Sequence, residues 1–240
     1  MQTFTLNNIP DLDVAVVAAL ELFNKVKIPS LNIKYKRPLV VGSGNAAATG
    51  KIIFEKHDAV FADESTAEIK LKNIDNIDGV VLISASGGKH APILAQLARK
   101  YKKKVTLLTN NPAAPAKDWA DNTYVFPKNR EPYTYNTSTY LGMILSAAKE
   151  DPEEILNFIK KLKLSIPKSS QYYLIVPESM ANIIPLLQVK FIELFGRRIA
   201  RDISTFEYMK HATTVVPGKE LFISFGKENA TYGRNNLAFS

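Results

Sequence analysis

Ser84, Ser86, Gly87, Gly88 and Lys89 stand together at the end of an apolar run, Val80 to Ile83, and just ahead of a helical pattern carried by Pro92, Ile93, Leu94, Leu97 and Ala98. A strand that stops here, turns on the glycines and feeds a helix start brings two hydroxyls and several backbone N–H groups to one small volume. The unpaired donors of a helix's first turn and the positive end of its macrodipole stabilise an anion in such a place, and glycine lets the backbone come close. Lys89 adds a formal positive charge. The chemistry on offer is phosphate binding, although the same residues would also make a plain strand-to-helix turn.

A second corner follows Leu39-Val40-Val41, where Gly42-Ser43-Gly44-Asn45 leads into small residues up to Gly50. With Ala47 it approximates the GxGxxA dinucleotide fingerprint, and Asp63 falls about twenty residues on, where a ribose-binding carboxylate would sit. A P-loop is excluded, because Gly44 and Gly50 are one residue too far apart and Ile52 follows Lys51. The dinucleotide reading leaves the Ser84–Gly88 corner unexplained. Two serine corners on different strands suit a compact phosphomonoester better.

These corners need a sheet to hold them. Short apolar runs at Leu39–Val41, Ala59–Ala62, Val80–Ser84, Val105–Leu108 and Thr123–Phe126 each end in small or polar residues, and helical patterns alternate with them. That alternation predicts an α/β fold with a five-stranded parallel sheet covered on both faces, its ligand site at the carboxyl ends of the strands. Asp11 to Lys27 has helical spacing, with Asp11 or Asp13 placed as cap. Helices are also expected around Leu141–Ala148 and from Asp151-Pro152 to about Leu164. Ser165 to Gln171 reads as a linker, so the first domain is expected over residues 1–164. Residues 165–240 form a partial second α/β unit: strand Tyr172–Val176, helix Met180–Phe195, strand Arg197–Ile203, a short helix Thr205–His211 and strand Leu221–Phe225.

Composition narrows the function classes. The chain has 240 residues, 46% of them hydrophobic and 22% charged, which suits a globular protein with a sizeable core. With no cysteine, disulfides and thiolate chemistry are excluded. Three histidines without HExxH or a paired His–carboxylate spacing give no metal site. The opening residues lack a signal-peptide pattern and no apolar run reaches membrane-spanning length, so a cytoplasmic protein without membrane partners is expected. A net charge of +8 raises the question of nucleic acid, but the basic run Arg99–Lys104 sits at the end of a predicted helix, where cations complement the dipole. No nucleic-acid partner is expected.

In order along the chain, Gly42-Ser43-Gly44-Asn45, the SxSGG corner of Ser84 to Gly88, Thr109-Asn110, and Glu131 ahead of a Thr/Ser-rich helix start resemble the sugar isomerase (SIS) domain. The resemblance implies a three-layer α/β/α phosphosugar-binding domain of flavodoxin-like topology, spanning about residues 35 to 150. The second half resembles the start of another SIS domain, as in the isomerase half of glucosamine-6-phosphate synthase and in phosphoglucose/phosphomannose isomerases. Lys190 and Glu193 have the Lys–Glu spacing of the synthase's helix, and Glu207 to His211 resembles its downstream ExKH segment with one residue inserted. Departures are Ala212-Thr213 for the family's Gly-Pro, Lys89 for a Thr and Ala85 for a Gln. A glutaminase domain with its N-terminal cysteine is not in this sequence, so amination from an amide is not expected.

What the resemblance implies is an aldose–ketose isomerase of hexose or hexosamine 6-phosphates. Ser43, Gly44, Asn45, Ser84, Ser86, Gly87, Gly88 and Lys89 would hold phosphate and sugar. Glu193 would be the base, His211 would assist ring opening and Lys190 would stabilise enediolate charge. Glu131, Thr134 and Asn136, with Thr137 and Ser138, would bind sugar hydroxyls or satisfy the helix N-terminus. Plain alternatives stand beside these roles: a surface ion pair for Lys190 and Glu193, and a structural histidine at 211. No cofactor is implied, and a homodimer is the expected assembly. A phosphosugar-sensing module without turnover and an NAD(P)-dependent enzyme remain the alternative functions.

Overall fold

The structure is a computed structural model that describes residues 8–132, 135–163, 165–195, 200–212 and 220–226. The chain divides into two compact units, Met1–Leu162 and Lys163–Ser240.

In the first unit, strands β1 (Pro38–Val41), β2 (Val60–Ala62), β3 (Gly79–Ile83), β4 (Lys104–Thr109) and β5 (Asn122–Val125) form one sheet in the order β2-β1-β3-β4-β5, every pair parallel. Helices α2 (Asn45–Ile53), α3 (Ala67–Asn73) and α4 (His90–Lys100) connect the first four strands. Helices α1 (Leu12–Lys25), α5 (Thr137–Ala148) and α6 (Pro152–Lys161) complete the unit. This is the flavodoxin-like order, and its switch point lies between β1 and β3. The dinucleotide-binding order would place β1 between β2 and β4 instead.

The apolar strands are buried on both faces because successive side chains point to opposite sides. Leu39, Val41, Val80, Leu82, Val105 and Leu107 pack with Ala67, Leu71, Ala91, Ala95 and Ala98 of α3 and α4. Val40, Val81, Ile83 and Leu108 pack on the other side with Ala46 of α2, Phe126 and Met143 of α5. Each fully buried Val, Leu or Ile stabilises the sheet by about 1.5–3 kcal/mol. A third cluster, Ala19, Leu20, Phe23, Leu145 and Leu156, holds α1 against α5 and α6. Asp11 occupies the N-cap position of α1, but its side chain makes no capping bond.

The second unit has strands β6 (Gln171–Val176), β7 (Ala200–Thr205) and β8 (Leu221–Ser224), ordered β7-β6-β8 and all parallel. This repeats the order β2-β1-β3 of the first unit. Its core is Tyr173, Ile175, Phe206 and Met209, with Tyr173 stacked on Phe222 at 5.2 Å. The helix expected over Met180–Phe195 is two elements, a 3-10 segment Glu178–Ile183 and α7 (Ile184–Phe195). Pro185 explains the break: it has no N–H to continue a helix, yet fits the first turn of a new one. Helix α8 spans Phe206–Ala212. Residues 197–199 of the strand expected from Arg197 lie outside the described residues.

Candidate functional site

The carboxyl ends of β1, β3 and β4 open into a cleft of about 1000 Å³. Its walls include Ser43, Glu64, Ser84, Ser86, Gly88, Lys89, His90, Asn110, Asn111, Lys128 and Asn136. The cleft therefore lies over the switch point, where the crossovers of β1 and β3 leave in opposite directions.

The β3–α4 corner is held in a definite polarity. Three of its carbonyls are taken by donors farther along the chain: Asn110 N–H and Thr109 Oγ1 donate to Ala85 O at 3.0 Å each, Asn111 Nδ2 to Ser86 O at 3.0 Å, and Ala116 N–H to Gly87 O at 2.9 Å. Gly87 is required here. Its φ is +61°, and a Cβ on it would lie 2.4 Å from Ala114 Cβ. Gly87 N–H and Gly88 N–H donate to Ser84 Oγ and Ser86 Oγ at 3.2 Å each. Gly87 N–H is shared with Ser84 O at 3.1 Å. Each serine oxygen accepts, so each hydroxyl keeps its own proton to donate. The amides of Lys89 and His90 donate to no group among the described residues. They open the N-terminus of α4, whose cap residue Lys89 makes no side-chain cap. Donors, dipole and the Lys89 charge all favour an anion.

The β1–α2 corner differs. Gly44, with φ +54°, is the cap residue of α2 and supplies no side chain. Ser43 donates its hydroxyl proton to Glu64 Oε1 at 2.7 Å. Asn45 begins α2 and contributes no wall to the cleft. Asp63, the candidate ribose carboxylate, accepts instead from the N–H and hydroxyl of Ser65 and of Thr66. Bonds from Thr66 first and Ser65 next hold its carboxyl down to about 2. Asp63 thereby closes the turn into α3, and Glu64 beside it faces the cleft.

Glu131 is a helix cap carried in from the loop. Its carboxylate accepts from Ser138 N and Oγ and from Thr139 N and Oγ1, at 2.9–3.3 Å. This satisfies the N-terminus of α5, which for that reason begins at Thr137, four residues ahead of the expected Leu141. Asn136, at φ 46°, is the cap position and makes no capping bond itself. Ser138 therefore donates to the cap rather than acting as one. Glu131 contributes no wall to the cleft among the described residues. Thr134 lies outside the described residues. Asn110 is 8% exposed, and its Nδ2 ties the end of β4 to Phe126 O and Thr139 O.

In the second unit, Lys190 and Glu193 lie on α7 and the exposed His211 on α8. The side chain of Glu193 is outside the described residues. Glu207, also on α8, pairs with Lys210 at 3.2 Å.

No family model matches the sequence and no curated protein is a significant match to it. Solved structures do match in fold. Tagatose-6-phosphate ketose/aldose isomerase from Escherichia coli superposes with a TM-score of 0.59 over 91% of this chain and 68% of its own, at 15% identity. Glucosamine-6-phosphate deaminase from Thermotoga maritima gives 0.57 over 89% and 74%, at 14% identity. The C-terminal domain of glucosamine-fructose-6-phosphate aminotransferase from Francisella tularensis gives 0.56 over 92% and 77%, at 14% identity. The chain has the SIS fold. Within this SIS fold, sequence reasoning missed Glu64, His90, Asn111 and Lys128 as cleft residues. Glu64 and Asn111 follow strand ends, where the carboxyl-end rule points. Lys128 carries no local signal. Among the described residues no cluster of three or more His, Asp or Glu is placed to hold a metal ion, and no helix is long and apolar enough to cross a membrane.

Proposed function

We propose that the cleft binds a sugar phosphate, with the phosphate at the β3–α4 corner, and that the protein is an aldose–ketose isomerase acting on a hexose or hexosamine 6-phosphate. One observation carries the binding: the carbonyls of Ala85, Ser86 and Gly87 are all taken by other donors, while the hydroxyl protons of Ser84 and Ser86 and the amides of Lys89 and His90 are available. A dianion needs such a surface of donors without opposing acceptors.

In the isomerase reading, Glu193 takes the proton from C2 of the open-chain aldose and returns it to C1, while the O2 proton passes to O1 through an enediol. His211 assists ring opening, and Lys190 stabilises the enediolate. Support comes from the Lys–Glu spacing on α7 and from the SIS fold. A second reading is binding without turnover, which needs only the cleft of the first unit and none of the roles given to Lys190, Glu193 and His211. The strand order and the engagement of Asp63 speak against the dinucleotide alternative.

A thermal-shift panel separates these readings, because a ligand of the native state raises the melting point by mass action. Hexose 6-phosphates should shift it beyond inorganic phosphate, and NAD should not. Turnover of the ligand so found, lost in Glu193→Gln with binding retained, supports the isomerase; binding without turnover in the parent chain supports the binding module. A shift with NAD alone would overturn both.

A further inference from the structure

The two corners of the cleft have opposite hydrogen-bond polarity. A hydroxyl has one proton to give. At the β3–α4 corner, Ser84 and Ser86 accept from glycine amides and keep that proton for a ligand. At the β1–α2 corner, Ser43 gives its proton to Glu64 and can offer a ligand only a lone pair. The exposed carboxylate of Glu64 lines the same cleft. Through Ser43, the residue before the cap of α2, it supplies the negative charge that an uncapped helix start favours. No acidic residue lies in the first turn of α4, which is flanked in the cleft by Lys89 and His90. The protein thus provides its own anion at one helix and leaves the other open.

We propose that Glu64 determines specificity by holding a cationic amino group at the end of the ligand remote from its phosphate, so that the preferred ligand is an amino sugar phosphate. This rests on the sugar-phosphate reading above. In the order β2-β1-β3, Glu64 stands two strand spacings from the β3 corner, roughly 10 Å, a span on the scale of a phosphorylated hexose. A neutral sugar brings no cation to that carboxylate and sets a phosphate dianion in the same cleft. An ammonium group neutralises that carboxylate and donates to both Glu64 and the Ser43 lone pair.

Calorimetric titration of the full chain at pH 7 with glucosamine 6-phosphate, glucose 6-phosphate and inorganic phosphate tests this. Glucosamine 6-phosphate should bind at least about tenfold tighter than glucose 6-phosphate, the scale of one charge-assisted contact. Glu64→Gln should bring the ratio to about one, through loss of the ammonium's charged partner. Ser43→Ala, which keeps the carboxylate, should retain the preference. Equal binding of the two sugars by the parent chain, or a preference that survives Glu64→Gln, overturns the assignment and leaves the sugar-phosphate reading standing. If no phosphate ester binds, that reading fails and the role of Glu64 fails with it.

Discussion

Lys89 adopts the backbone conformation of Gly44. The two residues stand directly before α4 and α2 at the cleft, with φ 50° and ψ −106° at Lys89 and φ 54° and ψ −125° at Gly44. Glycine enters this region freely, whereas a residue with a Cβ is strained there. Lys89→Gly should therefore raise stability by about 1–2 kcal/mol and, by removing a cation from the cleft, weaken phosphate binding. Urea denaturation followed by the fluorescence of Trp119, the single tryptophan and a residue of the first unit, reads the first effect. A lower midpoint would show that Lys89 is not strained.

Gly87→Ala should do the opposite. The added Cβ meets Ala114 Cβ at 2.4 Å in a backbone of positive φ, so strain and overpacking together should destabilise the first unit by about 2–4 kcal/mol. The same denaturation curve measures it.

Glu131→Ala should destabilise α5, whose first turn carries the cleft-lining Thr139, while leaving the β3–α4 corner intact. Four donors lose one charged acceptor, a loss of about 1.5–3 kcal/mol. The expected signature is a lower midpoint with inorganic phosphate still bound.

How much of this was open to sequence reading depends on the range of the interaction. The strands were legible at Val80–Ile83 and Val105–Leu108 because burial on both faces demands an unbroken apolar run. The anion corner was legible because its residues are contiguous. Its polarity was not, since the carbonyls of Ala85 to Gly87 are bonded by Thr109, Asn110, Asn111 and Ala116, more than twenty residues away. Glu131 was noticed but its capping role was one of two options, decided by a loop geometry that local patterns do not encode. Glu64 gives no signal of an anion site, because such a site is built of donors and a carboxylate runs against it. The single helix expected over Met180–Phe195 overlooks Pro185, because apolar spacing runs on through the position where the backbone cannot.

Asp63 gives a pH signature. Its carboxyl is held at about 2, below the usual value of 3.8, by bonds from Thr66 and Ser65. A group whose folded pKa is depressed contributes stability that is full above the unfolded value and is lost as pH falls through the folded one. The parent chain should lose stability between about pH 4 and pH 2, and Asp63→Ala should show a shallower decline over that window. Denaturation midpoints at several acid pH values, parent minus variant, isolate this group. Parallel curves would mean that the turn into α3 does not depend on the charge.

The central claim is that the hydroxyls of Ser84 and Ser86 hold a sugar phosphate. Calorimetric titration with the hexose 6-phosphate that shifts the melting point most, against the parent chain and Ser84→Ala/Ser86→Ala, tests it directly. The account predicts binding tighter than inorganic phosphate in the parent, and a loss of more than about tenfold in the double variant, the scale of two hydrogen bonds to a charged group. Equal affinity in parent and variant, or no binding of any hexose phosphate to the parent, would contradict it.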